Sequence, residues 1–531
     1  MRTPVLEIDR WESCVAGNDA SAGHVFVVRG RLESVDWDAA VVSTSGSFLP
    51  REHWWPVLGL TAQLDFAPAG AGRVRSFPKE GRPAWLLNVA SRISVDWLVE
   101  GVYEVLDVIA RTGIQPGGSR VKPLVALPTF GVGLGGQGGV RGHVIKALID
   151  AAAVCADKYD FDIAFVVANA ADYAAYQSVR RGHLCSAGVP PQVQQLADRL
   201  RAGDVSLLLG AGVSIPAGLP SWDSLLDRIR SEALPSIDAE LFSGLGVLDR
   251  AQLLSKALHP QGLGASVVEL TGGGAKPTLS HCLLASLGVT KVVTTNYDSL
   301  YEKAFESAHG RGSIAVLPRE EATASRPWIL KMHGDSGDPD SIVLSRRDFV
   351  RYDAERRPLG SIVQSLMATG HLVVVGASMT DDNVLRLAHE VLALDEHNGR
   401  QRKIGTVITL RQDNLRTELW KNDFDYVAAS EADNDSAAAR DLEIFLDNLA
   451  ILTTVDTPYL LDVNYSGLLD GEEIALADSL REVAKIVRSL PESSRERWGV
   501  LEATLHRLGA ETRPMRRRRG VNDRANISRS G

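Results

Sequence analysis

Four short polar clusters, each directly following an apolar run, hold the residues of this chain best suited to chemistry. Gly210-Ala211-Gly212 with Ser214 follows VSLLL, and Asn296-Tyr297-Asp298 follows KVVTT. His333-Gly334-Asp335 follows WILKM, and Gly376-Ala377-Ser378 follows HLVVV, with Asp381 and Asn383 just beyond. Glycines in such a turn let the backbone approach a pyrophosphate, and amides opening the next helix present partial positive charge to it. Histidine can accept a proton near neutral pH. Each residue also has a plainer explanation. His333 alone would be a strand-end histidine with a structural hydrogen bond, and Asn296 and Asp335 would be turn residues. Glycine turns follow many buried strands. Four clusters in order outweigh those explanations, because an open α/β sheet binds its ligand outside the carboxyl ends of its strands. Asp335 stays a turn former and is left out of the catalytic set.

The elements that must position these clusters read as α/β throughout. Apolar runs at Val205–Leu209, Lys291–Thr295, Trp328–Met332, His371–Val375 and Thr406–Leu410 suit strands buried on both faces of a parallel sheet. The stretch between the first two is helical, with the breaker TGGG at Thr271–Gly274. After about Asp435 the apolar spacing is helical again. Upstream, strands are expected near His24–Arg29, Ala39–Thr44, Trp85–Val89, Leu124–Pro128 and Ile163–Val167, with helices over Val95–Ala110 and Val140–Ala156. A Pro/Gly turn at Ser186–Gln192, before an amphipathic helix Val193–Ala202, marks the expected boundary between two domains. The expected division is 1–185, 195–450, a helical C-terminal segment 451–510 and a basic, disordered tail 511–531. No internal repeat is present.

The order GAGxS, TxNxD, HG and GxS resembles the sirtuin family over about half of the chain. The resemblance implies a Rossmann-type parallel sheet that takes NAD as substrate. Gly210, Ala211, Gly212 and Ser214 would contact its phosphates and ribose. Asn296 would lie by the nicotinamide ribose and Asp298 by the carboxamide pocket. His333 would be the general base, and Gly376 and Ser378 would complete the phosphate and adenosine side. Breaking the nicotinamide–ribose bond develops oxocarbenium character, as glycoside cleavage does, and these residue types suit it. Sirtuin deacylases carry a zinc ribbon with two cysteine pairs after the HG motif, whereas Asp335 to Gly370 here contains no cysteine. No metal is therefore expected, and water is the expected acceptor. The chain is similar to the bacterial sirtuin-like NADases of anti-phage defence, including Thoeris-type effectors. That similarity implies an attached sensor domain and assembly into a homo-oligomer.

The first part of the chain resembles a macro domain, a three-layer module that binds ADP-ribose-type nucleotides. LVALPTFGVGLGGQGGVRGHVIKALIDAA (Leu124–Ala153) sets a glycine-rich loop between a strand and a helix. Such a loop can cradle phosphates, yet it lacks the lysine of a Walker motif. By the resemblance, Gly131, Gly133, Leu134, Gly135 and Gly136 would bind the ligand. Gly30-Arg31-Leu32 stands where macro domains have Gly-Asp-Ile, Ser43 or Thr44 where an asparagine is expected, and Arg92 near the lysine used by the hydrolytic branch. Arginine stays protonated and is a poor base, so the domain reads as a binder. Its expected ligand is an NAD-derived nucleotide supplied by a TIR-domain enzyme.

Bulk properties narrow the remaining classes. The 531 residues carry a net charge of −9, which argues against a nucleic-acid backbone binder. The basic run Arg513 and Arg516 to Arg519 reads as a solvated tail. No stretch reaches the ~18 apolar residues of a membrane helix, and the N-terminal MRTPVLEIDRWESC lacks a secretion pattern, so a cytoplasmic location is expected. Cys14, Cys155, Cys185 and Cys282 form no CxxC pair and read as reduced thiols. Two other functions compete with NAD hydrolysis: a protein deacylase or ADP-ribosyltransferase, and a non-catalytic nucleotide receptor. Retention of both Asn296 and His333 counts against the receptor.

Overall fold

The computed structural model describes residues 22–62, 72–77, 81–89, 94–131, 140–187, 190–259, 262–273 and 275–510. Two separate β-sheets organise them. The first contains β1 (Val25–Arg29), β2 (Ala39–Thr44), β3 (Val74–Phe77), β4 (Ala84–Asn88), β5 (Leu124–Leu127) and β6 (Asp162–Val167), in the order β1-β6-β5-β2-β4-β3. Every pairing is parallel except that of β3 with β4. Helices cover both faces, giving the three-layer arrangement expected of this part of the chain. On one face lie the helices Val95–Arg111 and Arg141–Lys158, whose buried Leu98, Val102, Val105, Val144 and Leu148 pack on Val27, Val41, Leu87 and Val125.

The second sheet contains β7 (Val205–Leu209), β8 (Lys291–Thr294), β9 (Ala315–Leu317), β10 (Trp328–Lys331), β11 (His371–Val375), β12 (Gly405–Thr409) and β13 (Phe424–Ala428). Its order is β13-β12-β11-β7-β8-β10-β9, and every pairing is parallel. β7 and β11 are buried along their whole length, as continuous apolar runs at the centre of a doubly covered sheet must be. The chain runs from β7 to its neighbour β8 on one side and later returns to β11 on the other. The strand order thus reverses between β7 and β11, the point at which such sheets open a crevice.

The two sheets share one apolar core. Phe26, Val28, Trp37 and Val42 from the first belong to the same buried cluster as Val205, Leu207, Leu283 and Leu446. Three helices fill the seam: Pro191–Ala202, Leu279–Ser286 and Asp435–Thr453, the last two packing directly on β1. Tyr465, fully buried, carries the C-terminal segment back onto the first sheet's unit, its hydroxyl donating to Asp172 at 2.7 Å. Arg141 holds the same carboxylate through two bonds of 2.5 and 2.8 Å.

The edge strands β3, β9 and β13 and the helix Ala170–Ala187 were not expected from the sequence. β9 has three residues, and β3 and β13 each have a single buried side chain, so none produces a continuous apolar run. Ser186 and Ala187, expected in a turn, end that helix. Cys155 and Cys282 are buried free thiols, and burial pushes both up to about 12, which leaves them unreactive. Among the described residues no helix is long and apolar enough to cross a membrane.

Candidate active site

Strand register brings the four clusters to one edge. Leu209 lies opposite Val375 on one side and Thr294 on the other, and Thr294 opposite Lys331. The residues after these positions therefore leave the sheet at one level. A cleft of about 590 Å³ opens there, with walls that include Gly210, Ala211, Gly212, Trp222, Phe349, Gly376, Ser378 and Asp381.

Its floor is interlocked backbone. The Gly212 amide donates to the Gly376 carbonyl at 2.8 Å. A Cβ on Gly210 would stand 2.6 Å from Ala377 Cα, and one on Gly212 would stand 2.8 Å from Gly376 Cα. Gly376 adopts a left-handed φ of +69°. These glycines are thus required first by the close approach of two turns, which also leaves bare amide surface in the cleft. Gly212→Ala is expected to cost about 1–3 kcal/mol, the scale of overpacking against fixed backbone. Gly273→Ala, where a Cβ would meet nothing within 4 Å, is expected to cost far less. Urea unfolding of the two variants checks this, and equal midpoints would refute the interlock.

Behind the Gly210 turn lies a polar relay. Asn296 Nδ2 donates to the Gly210 carbonyl at 3.0 Å and to Ser214 Oγ at 3.1 Å. Ser214 Oγ also stands 3.3 Å from His281 Nε2. The Thr278 amide donates to His281 Nδ1 at 3.3 Å, which leaves the imidazole proton on Nε2, directed at Ser214. Burial holds His281 down to about 4, against the opposing pull of Asp298, so the ring is neutral at pH 7. The sequence reading missed His281. Its signal is Thr278 followed three residues later by a ring nitrogen at a helix start, a capping box with histidine in the usual Glu position.

His333 is fully buried. The next residue, Gly334, has φ of +98°, and a Cβ there would reach 2.3 Å from the Ser341 carbonyl oxygen, which explains the glycine. The imidazole lies among Trp222, Phe349 and Tyr352, with ring centroids 6.0, 5.3 and 6.2 Å away. Burial lowers its pKa, Asp381 opposes that, and Arg356 adds to it. His333 is therefore neutral at pH 7, and its ring neighbours Trp222 and Phe349 line the cleft.

Gly210, Ala211, Gly212, Gly376 and Ser378 form the cleft wall, and Ser378 Oγ lies 2.7 Å from Thr380 Oγ1. Asn296 bonds the Gly210 carbonyl and Ser214, and His333 packs near two of the wall's aromatic rings. Asp298 is turned away: its Oδ1 accepts from the Leu300 amide at 2.9 Å, capping the start of the helix Leu300–His309. Its carbonyl accepts from buried Lys331, which pairs with Glu302 at 2.7 Å. Gly131, buried with φ of +70°, follows β5 in the first sheet. Gly133, Leu134, Gly135, Gly136 and Arg92 lie outside the described residues.

The family described as SIR2-like domain matches residues 290–427. The chain is similar to "NAD(+) hydrolase ThsA" of Acinetobacter baumannii (strain 532279), 24% identical over 242 residues, covering 44% of this chain and 49% of that protein. It is also similar to "Defense-associated sirtuin 2" of Bacillus subtilis, 25% identical over 212 residues, covering 38% of this chain and 21% of that protein. The matches thus span about half or less of these relatives' length. A solved Trypanosoma brucei macrodomain in complex with ADP-ribose is similar at 14% identity and a TM-score of 0.24, covering 33% of this chain and 90% of that one. Three of the four strand-end motifs fall within residues 290–427, and the fourth, Gly210 to Ser214, follows the neighbouring strand β7 upstream; this part of the chain is similar to the SIR2-like domain.

Proposed function

We propose that this chain is an NAD⁺ hydrolase that releases nicotinamide and leaves ADP-ribose, acting in anti-phage defence by depleting NAD⁺. One observation carries the reading: a neutral, desolvated histidine and an anchored asparagine follow adjacent strands β10 and β8, beside a glycine-floored cleft. The names of the similar proteins support both the hydrolysis and the defence setting. In this reading Gly210, Ala211, Gly212, Gly376 and Ser378 receive the pyrophosphate and adenosine side, with Ser214 and Asn296 holding the nicotinamide ribose. Asp298 acts from behind, by fixing the start of the helix Leu300–His309.

The bond between nicotinamide and ribose C1′ breaks with its electron pair leaving on nicotinamide, and a water oxygen bonds to C1′. His333 takes the proton that this water loses, and later returns it to solvent. In this reading His333, which is fully buried, reaches the water once its cleft-lining neighbours Trp222 or Phe349 shift. A base buried in this way suits an enzyme kept silent until triggered. The trigger in this reading is an NAD-derived nucleotide, made by a TIR-domain enzyme and bound by the macro-like unit, with the protein working as a homo-oligomer. The functional units are those expected from the sequence: 1–185 for sensing, 195–450 for catalysis and 451–510 as a helical segment.

The test is purified protein incubated with NAD⁺, with products separated by chromatography and candidate nucleotides added in turn. Free nicotinamide with ADP-ribose supports the proposal. ADP-ribose attached to protein would replace it with a transferase, and intact NAD⁺ under every condition would replace it with a receptor. No zinc is required by this chemistry, so a chelator is expected to leave both rate and melting temperature unchanged. One zinc per chain, with unfolding on its removal, would contradict that expectation.

A further inference from the structure

We infer that Asp381 is the positioning residue for His333, holding the imidazole by its Nε2 proton and so leaving Nδ1 as the nitrogen free to take a proton. The inference rests on the assignment of His333 as the base in NAD⁺ hydrolysis. Asp381 immediately precedes the helix Asp382–His397 and caps it: its Oδ1 accepts from the amides of Asn383 and Val384, both at 3.0 Å. Those bonds fix the carboxylate in place and leave Oδ2 uncommitted. Oδ2 stands 3.4 Å from His333 Nε2. The ring is turned off the N–H···O line, so neither imidazole nitrogen has a hydrogen-bond partner among the described residues.

The surroundings single out this carboxylate. Trp222 and Phe349 offer His333 aromatic surface only, and Tyr352 presents its ring at 82°, with its hydroxyl directed at the Met332 carbonyl. Arg356, from the helix Arg346–Thr369, is the facing cation, and its guanidinium is held by the Ser341 carbonyl at 2.7 Å. Asp381 is therefore the group that can both accept from Nε2 and favour the imidazolium that forms as the water is deprotonated. A second group that fixes the tautomer of a catalytic histidine and steadies its protonated form is a recurrent arrangement for a general base. Without it, a buried ring between a cation and three aromatic side chains is a weaker base.

Asp381→Asn tests this, because asparagine caps a helix as well as aspartate does while removing the charge. Asp381→Ser, also a good cap, repeats the test without an amide. Both variants are expected to keep the melting temperature and KM near wild type. Both are expected to lower kcat on the order of 10- to 100-fold, part of the usual general-base contribution. The acid limb of the kcat profile should move to lower pH, since the carboxylate opposing the depression of His333 has gone. Imidazole titration by NMR, with the His333 signal assigned through His333→Gln, should show the same downward move and does not depend on the substrate. A wild-type protein that releases no nicotinamide, but whose His333 midpoint falls in Asp381→Asn, would count against NAD⁺ hydrolysis and leave the pair standing. An unmoved midpoint, or wild-type kcat with an unmoved acid limb, would reduce Asp381 to a helix cap and overturn the inference.

Discussion

His333→Ala, and separately Asn296→Ala, is expected to slow nicotinamide release from NAD⁺ by at least about 100-fold, the lower end of what a general acid–base group supplies. The two losses have different origins. His333 is depressed by burial and neutral at pH 7, so its removal deletes a proton acceptor already in its working form. Asn296 holds the Gly210 carbonyl and Ser214 Oγ, so its removal frees the turn that forms the cleft floor and strips one donor from the relay to His281. Removing His333 should therefore appear mainly in kcat, and removing Asn296 in both kcat and KM. In the wild type, rate should hold through neutral pH and fall only as acid protonates His333, below the ordinary histidine value of 6.5. Rates and circular dichroism of the purified variants decide the matter. Wild-type turnover by both variants, with folding intact, would remove these residues from the mechanism.

Much of this site was legible because buried parallel strands announce themselves. VSLLL, KVVTT, WILKM and HLVVV are mainly apolar runs without the alternation of a half-exposed strand, and the residues after each run must leave the sheet at its carboxyl edge. Side-chain direction was not legible. Asn296 and Asp298 are two residues apart, yet one reaches back to the Gly210 turn and the other caps a helix. His281 lies outside every strand-end motif and meets Ser214 only because its helix fills the seam between the sheets. The glycines were read as phosphate contacts, and the structure adds a packing demand on them: a Cβ at Gly210 or Gly212 would come within 2.6–2.8 Å of the Gly376–Ala377 turn. Edge strands such as β13 escaped because half of their surface faces solvent or loops, which erases the continuous apolar signal. The shared core escaped for a related reason: an apolar helix face records that it is covered, without recording by what.

That shared core makes Asp447→Ala the substitution with the largest expected effect on stability. Asp447 is completely buried in the helix Asp435–Thr453. Its carboxylate lies 2.8 Å from His24 Nε2, at the foot of β1, and accepts from both terminal nitrogens of Arg180, one at 3.0 Å. Arg180 and His24 belong to the first sheet's unit, and Asp447 follows the second sheet in the chain. Nearby, Arg440 grips Asp162 through bonds of 2.8 and 2.7 Å across the same seam. Alanine at 447 would leave the Arg180 guanidinium buried with only the Val25 carbonyl, at 2.8 Å, and the Gln177 side chain, at 2.9 Å. Removing one partner of a buried ion pair costs about 3–5 kcal/mol, because the remaining charge stays desolvated. Burial alone would raise the Asp447 pKa, but Arg180 and His24 outweigh it and hold the group below its ordinary value. The stability that Asp447 contributes is therefore present above the unfolded-state carboxylate pKa and is lost as pH falls through the lower folded value. Wild type should lose stability in acid more steeply than Asp447→Asn, which has no carboxylate to protonate. Urea unfolding followed separately by tryptophan fluorescence and far-UV circular dichroism should give one coincident transition in the wild type. In Asp447→Ala the transition should move well down or divide in two. A shift under about 1 kcal/mol, the scale of a surface pair, would show that the seam does not depend on this contact. The same seam adjoins the polar relay at Ser214. The helix carrying His281 packs on β1 and on the helix carrying Asp447, and the Asp36 amide donates to the Pro277 carbonyl at 2.9 Å, one residue before Thr278. A single transition in the wild type would therefore join the first sheet and the Ser214 relay in one cooperative unit.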